Sequence, residues 1–143
     1  MEITRERPAG RPGPAEHFTG TVRLHEIAVP PAPSRLRIFR VHFAPGARTA
    51  WHTHPHGQVL HVTEGAGLVQ RAGGPVEPIR PGDTVWIAPG ERHWHGAGPD
   101  TFMTHLATVE AAADGTTTEW AELVGPHEYP ADATPGDERR GDE

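Results

Sequence analysis

The chain has no cysteine, no lysine and no asparagine, with a single serine, Ser34, and a single tyrosine, Tyr129. Without thiols there is no disulfide framework and no thiolate for redox chemistry or zinc. Without lysine there is no Schiff base and no phosphate-loop lysine, and a serine triad would have to rest on Ser34 in a Pro-rich loop. Covalent catalysis is therefore not expected. Long apolar runs are also missing: none approaches the ~20 residues that span a bilayer, and residues 1–20 are Pro-, Gly- and Arg-rich with no signal-peptide core. The expected compartment is the cytoplasm. Excess positive charge is absent too. Most of the formal charge of −6 lies in residues 125–143, where six carboxylates face only Arg139 and Arg140. Neither nucleic acid nor a membrane is an expected partner.

Histidine is what the chain has in excess, 11 among 143 residues. It is the commonest metal ligand and the usual acid or base near neutral pH. The length suits one domain. Residues 1–16 read as a flexible N-terminal segment and residues 125–143 as an acidic Pro/Gly-rich tail, which leaves residues 17–124 for the fold. Within them, β-rich segments recur at 19–26, 36–43, 49–54, 58–63, 67–71, 76–79, 84–87, 91–96, 102–109 and 117–124. Pairs such as Pro45-Gly46, Glu64-Gly65 and Pro89-Gly90 separate them. No segment has a helical period, so the pattern predicts an all-β fold, a small single-domain antiparallel barrel.

His52 and His54 stand two apart on a predicted strand, where side chains share a face and lie about 6–7 Å apart at Cα. Both imidazoles can then converge on one ion. Gln58 opens the next strand and can present its amide oxygen to the same point, and His93 arrives from a distant hairpin. By the same alternation His95 points inward with His93, whereas His61, Trp51, Trp86 and Trp94 face away. His17, His25 and His127 read as surface residues. His105 is the best acid/base candidate, since no carboxylate is expected near the metal.

The segments GARTAWHTHPHGQVLHVTEG and GDTVWIAPGERHWHG resemble the two motifs of the cupin superfamily, with Gly46, His52, His54, Gln58 and Gly65 in the first and Gly82, Gly90 and His93 in the second. The likeness spans about residues 36–109. It implies a cupin-type jelly roll holding one divalent metal per chain. Cupins usually carry a glutamate where this chain has Gln58; three imidazoles and an amide leave the metal's charge uncompensated and its Lewis acidity high. The segments ARTAWHTHP, GQVLHVTEG, PGDTVWIAPGERHWHGA and MTHLATVEA are similar to a narrower group of bacterial monocupins that includes manganese-dependent (R)-selective hydroxynitrile lyases, which use a glutamine there too. That resemblance implies His52, His54, Gln58 and His93 as metal ligands and Thr49, His95 and His105 as residues around the substrate pocket. It also implies that residues 18–23 form an N-terminal strand that builds a homodimer.

Phe39, Val41 and Val109 are expected in the pocket. Phe39 stands where the lyases have a small apolar residue, and Val109 where they carry a glutamine. The expected activity is a metal-dependent carbon–carbon lyase that cleaves or forms α-hydroxynitriles such as mandelonitrile. Manganese is the implied metal; iron, nickel, cobalt and zinc also suit such ligands. Two other readings stay open: an Fe- or Ni-dependent dioxygenase, and a non-catalytic module that captures a small ligand on its metal.

Overall fold

A computed structural model of the chain describes residues 1–7 and 9–130. All its regular elements are strands: Arg11–Pro12 (β1), Phe18–Thr19 (β2), Val22–Ala28 (β3), Leu36–Phe43 (β4), Arg48–Thr49 (β5), His52–Thr53 (β6), Gln58–Gly65 (β7), Gly67–Arg71 (β8), Glu77–Ile79 (β9), Thr84–Ile87 (β10), His93–Ala97 (β11), Met103–Glu110 (β12) and Glu119–Trp120 (β13). No helix among the described residues is long and apolar enough to cross a membrane.

The strands form two antiparallel sheets. One runs β1-β3-β4-β12-β7-β10; the other runs β13-β6-β11-β5-β2, with β8 also paired to β11 and β9 to β8. Period-two alternation sets what each sheet turns inward. On β7, Gln58, Leu60 and Val62 are buried between exposed or half-buried neighbours, and on β12 Met103, His105, Ala107 and Val109 are buried with them. The inner sides meet in a core that includes Phe43, Leu60, Val62, Ile87 and Met103. Each such side chain contributes about 1.5–3 kcal/mol by leaving water.

β11 is buried along its whole length, because both of its faces are covered. Its histidines face the interior. Trp94, on the other face, packs with Trp51, Leu68, Val124 and Tyr129 in a second apolar cluster. Trp86 instead stands exposed on the outside of the first sheet.

Where they are described, both chain ends make contacts with the sheets. Within the segment read as flexible, Arg11 and Pro12 pair with Leu24 and Arg23, and the Gly13 amide donates to the Val22 carbonyl at 2.9 Å. Within the tail read as poorly ordered, Tyr129 is buried and its hydroxyl donates to the Ala97 carbonyl at 2.8 Å, with the Arg48 guanidinium over its ring. Composition registers the cost of ordering Pro and Gly, but not a pairing that needs only a free strand edge or one aromatic anchor. Residues 131–143 of the expected tail lie outside the described residues.

The predicted strand at 49–54 is two short ones. At the break, the Trp51 amide donates to the Glu122 carbonyl and the Ala121 amide to the Trp51 carbonyl, so the chain changes pairing partner there. The predicted strand at 117–124 shortens to β13 for the same reason: only Glu119 and Trp120 lie in register with β6.

Candidate metal centre

His52 and His93 sit directly opposite each other across β6 and β11, with ring centroids 4.1 Å apart. Because the two strands are antiparallel, stepping two residues along each moves in opposite directions. His54 therefore flanks the pair at one end, 5.0 Å from His52 and 5.3 Å from His93 between centroids. His95 flanks it at the other, 5.3 Å from His52 and 5.6 Å from His93. The line of rings then continues to His105, whose centroid is 4.9 Å from that of His95.

Hydrogen bonding divides this line into two ends. The Nδ1–H of His52 donates to the Ala50 carbonyl at 2.8 Å, that of His54 to Thr117 at 2.8 Å, and that of His93 to Glu91 at 2.9 Å. A carbonyl can only accept, so each Nδ1 carries the proton and each Nε2 keeps its lone pair. This is how metal-binding imidazoles are commonly held. The Nε2 atoms of His54 and His93 and the Oε1 of Gln58 are buried with no hydrogen-bond partner. Unpartnered buried polar atoms are costly unless something satisfies them. At the other end, His105 Nε2 lies 3.1 Å from His95 Nδ1, and the His95 amide donates to Thr49 Oγ1 at 3.2 Å.

Burial holds all five imidazoles in the neutral form. It lowers His52 and His95 well below the ordinary value, lowers His54, and brings His93 and His105 down to about 4. Neutral imidazoles are what a cation needs. Nitrogens of His52, His93 and His95 lie within 4.8 Å of one another, a grouping able to hold a metal ion. The three unpartnered acceptors at the other end add His54 and Gln58 as donors, so the residues present suit a divalent cation.

The turn that delivers Gln58 depends on Gly57. Its φ is +84°, and a Cβ there would stand 2.6 Å from both the Ile87 carbonyl oxygen and the Trp86 ring. Gly57→Ala should therefore cost at least about 2 kcal/mol, from left-handed backbone strain together with the clash. Urea unfolding would measure it. A loss under 0.5 kcal/mol would show that the turn adapts freely.

The rings of His52, His54, His95 and His105 open into a cavity of about 350 Å³. Phe39, Val41, Val109 and Ala107 form its apolar wall, with Thr49, His95 and His105 also lining it. Phe43 backs the His105 end, its ring 5.2 Å from that of His105. Val109 is paired with Gln58 across β12 and β7, so the residue beside Gln58 is apolar.

Two histidines, His17 and His25, correct the sequence reading. His17, expected on the surface, is half-buried and stacks on Trp120 at 4.4 Å with planes 6° apart; Trp120 in turn lies 4.8 Å from His52. Arg11, Pro14, His17 and Phe18 bring the N-terminal segment to the cavity mouth. No local motif marks these residues; they reach the site only because β1 and β2 pair with β3 and β5. His25 is half-buried and His127 exposed.

The chain matches the cupin domain family over residues 39–108. It is 53% identical over 131 residues to an (R)-mandelonitrile lyase from Granulicella tundricola, a match covering 90% of this chain and 98% of the relative. Among solved structures, a cupin-like protein from Thermotoga maritima is 36% identical, with a TM-score of 0.77 over 90% of this chain and 95% of its own. A predicted oxalate decarboxylase from the same organism shares only the fold, at 19% identity and a TM-score of 0.66 over 77% of this chain and 98% of its own. On its two facing sheets, its histidine-lined interior and this full-length similarity, the chain belongs to the cupin family.

Proposed function

We propose that the protein is a metal-dependent hydroxynitrile lyase that interconverts an aldehyde and cyanide with an α-hydroxynitrile such as mandelonitrile. The observation that carries this reading is the match to an (R)-mandelonitrile lyase along nearly the whole of both chains. The site chemistry supports it independently. Its interior offers neutral donors at one end and two hydrogen-bonded imidazoles at the other, beside an apolar wall suited to an aryl or alkyl group.

His52, His54, Gln58 and His93 hold the metal in this reading. His54 and Gln58 complete the set in this reading because neither is tied to another titratable ring, whereas His95, whose Nε2 is likewise unpartnered, is held through Nδ1 by His105. A bound divalent cation supplies Lewis acidity towards a substrate oxygen. Manganese is the proposed ion, with all four ligands uncharged. His95 and His105 handle the proton. They share one hydrogen between Nδ1 and Nε2, and whichever ring donates it, one of the two outer nitrogens is left free to accept another. In cleavage, the hydroxyl proton passes to this pair as the C–C bond breaks. Cyanide leaves with the bonding electrons and collects that proton as hydrogen cyanide, and the C–O bond becomes the carbonyl. Thr49 keeps His95 in place through its backbone amide.

Benzaldehyde and cyanide, followed by chiral chromatography, test the reading. An excess of (R)-mandelonitrile over metal-stripped protein is expected. A rate equal to that of the stripped protein with every divalent metal tried would overturn it. We further propose a homodimer, supported by the exposed apolar side chains of Trp86, Leu36 and Ile27 on the first sheet and its flank. Light scattering giving a monomer's mass would refute that part.

A further inference from the structure

The metal-facing cavity carries one full positive charge that the reaction above does not use. Arg11 lines the mouth, its guanidinium 6.0 Å from the centre of the Phe39 ring. Among the described residues no carboxylate lines the cavity, and none pairs with Arg11. The register places it deliberately with respect to the chemistry. Arg11 is paired with Leu24, Leu24 with Val41, and Val41 with His105, so the arginine and the proton-handling end occupy one row across four strands. Three strand spacings of about 4.8 Å separate their backbones by roughly 14 Å. A substrate body of one aromatic ring or a few carbons would lie along this row, with the guanidinium beside the Phe39 ring. Leu24, Phe39 and Val41 make the intervening wall apolar.

A neutral substrate would leave the guanidinium without an anion. We infer that Arg11 binds an anionic group, a carboxylate in the first instance, at the end of the substrate remote from the metal, so that the preferred substrates are aldehydes or hydroxynitriles with an apolar body and a distal carboxylate. The inference rests on the lyase reading for the reacting group and on the Arg11 geometry for the distal one. A planar guanidinium suits the second task, because its paired N–H groups match the two oxygens of a carboxylate. Its exposure makes the interaction sensitive to salt.

The two parts are tested separately on the metal-loaded protein. Calorimetric binding compares 4-(hydroxymethyl)benzoate with benzyl alcohol, and turnover compares 4-formylbenzoate with benzaldehyde in the presence of cyanide. The carboxylated member of each pair is expected to be favoured about tenfold at low salt. Arg11→Gln should bring both ratios close to one, and Arg11→Lys should restore part of the preference. Equal binding of the two alcohols by the unaltered protein overturns the inference. So does a preference that survives Arg11→Gln, which would place the carboxylate on the metal instead. A binding preference that depends on Arg11, without any C–C bond cleavage, keeps the anion site and removes the lyase reading. Cleavage of both substrates with no preference removes the anion site and keeps the lyase.

Discussion

Replacing His52 and His54 together by alanine is expected to empty the metal centre and lower the rate of hydroxynitrile cleavage by at least about a thousandfold, since charge stabilisation by a metal is worth several kcal/mol. The two residues contribute two of three imidazoles whose Nδ1 is committed to a carbonyl, so each Nε2 is offered to the interior without competition. No other residue type can take over, because the chain has no cysteine and, among the described residues, no carboxylate lines the cavity. Elemental analysis of protein purified without added metal reads the outcome: near one equivalent in the parent and none in the variant. A second measurement separates loss of metal from loss of fold. In the parent, the acceptors of His54, His93 and Gln58 are buried without a partner, and a bound metal would supply one. Adding metal should therefore raise the parent's unfolding temperature, as mass action requires of any ligand that binds only the folded state. The variant, still folded, should not respond. Equal metal content in the two proteins would remove the proposed ligand set and leave the closely spaced nitrogens of His52, His93 and His95 as unliganded core histidines.

What the sequence made legible follows from which interactions are local. The strands at 36–43, 67–71 and 84–87 were readable to the residue, because alternation and Pro/Gly turns report directly on a pleated segment with one buried face. The inward set of β7 and β12 was readable for the same reason, and it places Gln58 and His105 in one interior. The cross-strand pairing of His52 with His93 was not, since it depends on a register set 41 positions away in the chain. The mouth of the cavity was the least readable part. His17 belongs to it through stacking on Trp120, and Arg11 through pairing of an edge strand, and neither contact has a sequence period. The Pro and Gly around Arg11 argue locally for disorder, while the free edge of β3 overrides them.

His105→Gln should separate proton handling from metal binding. Glutamine is close to histidine in bulk and can still hydrogen-bond His95, but it cannot take up a proton at neutral pH. The substituted side chain also leaves Ala50, Thr117 and Glu91, the carbonyls that orient the three imidazoles proposed as metal ligands, untouched. Metal content should therefore equal the parent's, and turnover should fall about 10²–10⁴-fold, the usual contribution of one positioned acid or base. The loss should appear in kcat with little change in KM, because in this reading His105 moves a proton, while the apolar wall of Phe39 and Val41 seats the substrate's body. The competing possibility is a histidine kept for packing: it is fully buried, and the Phe43 ring lies against it. That role predicts a different pattern. His105→Phe would then retain activity within a few fold, since it fills the space and removes a buried nitrogen, Nδ1, that has no partner. Near-parental kcat in both variants would assign the proton step elsewhere, and full metal with a collapsed kcat in both would place it on His105.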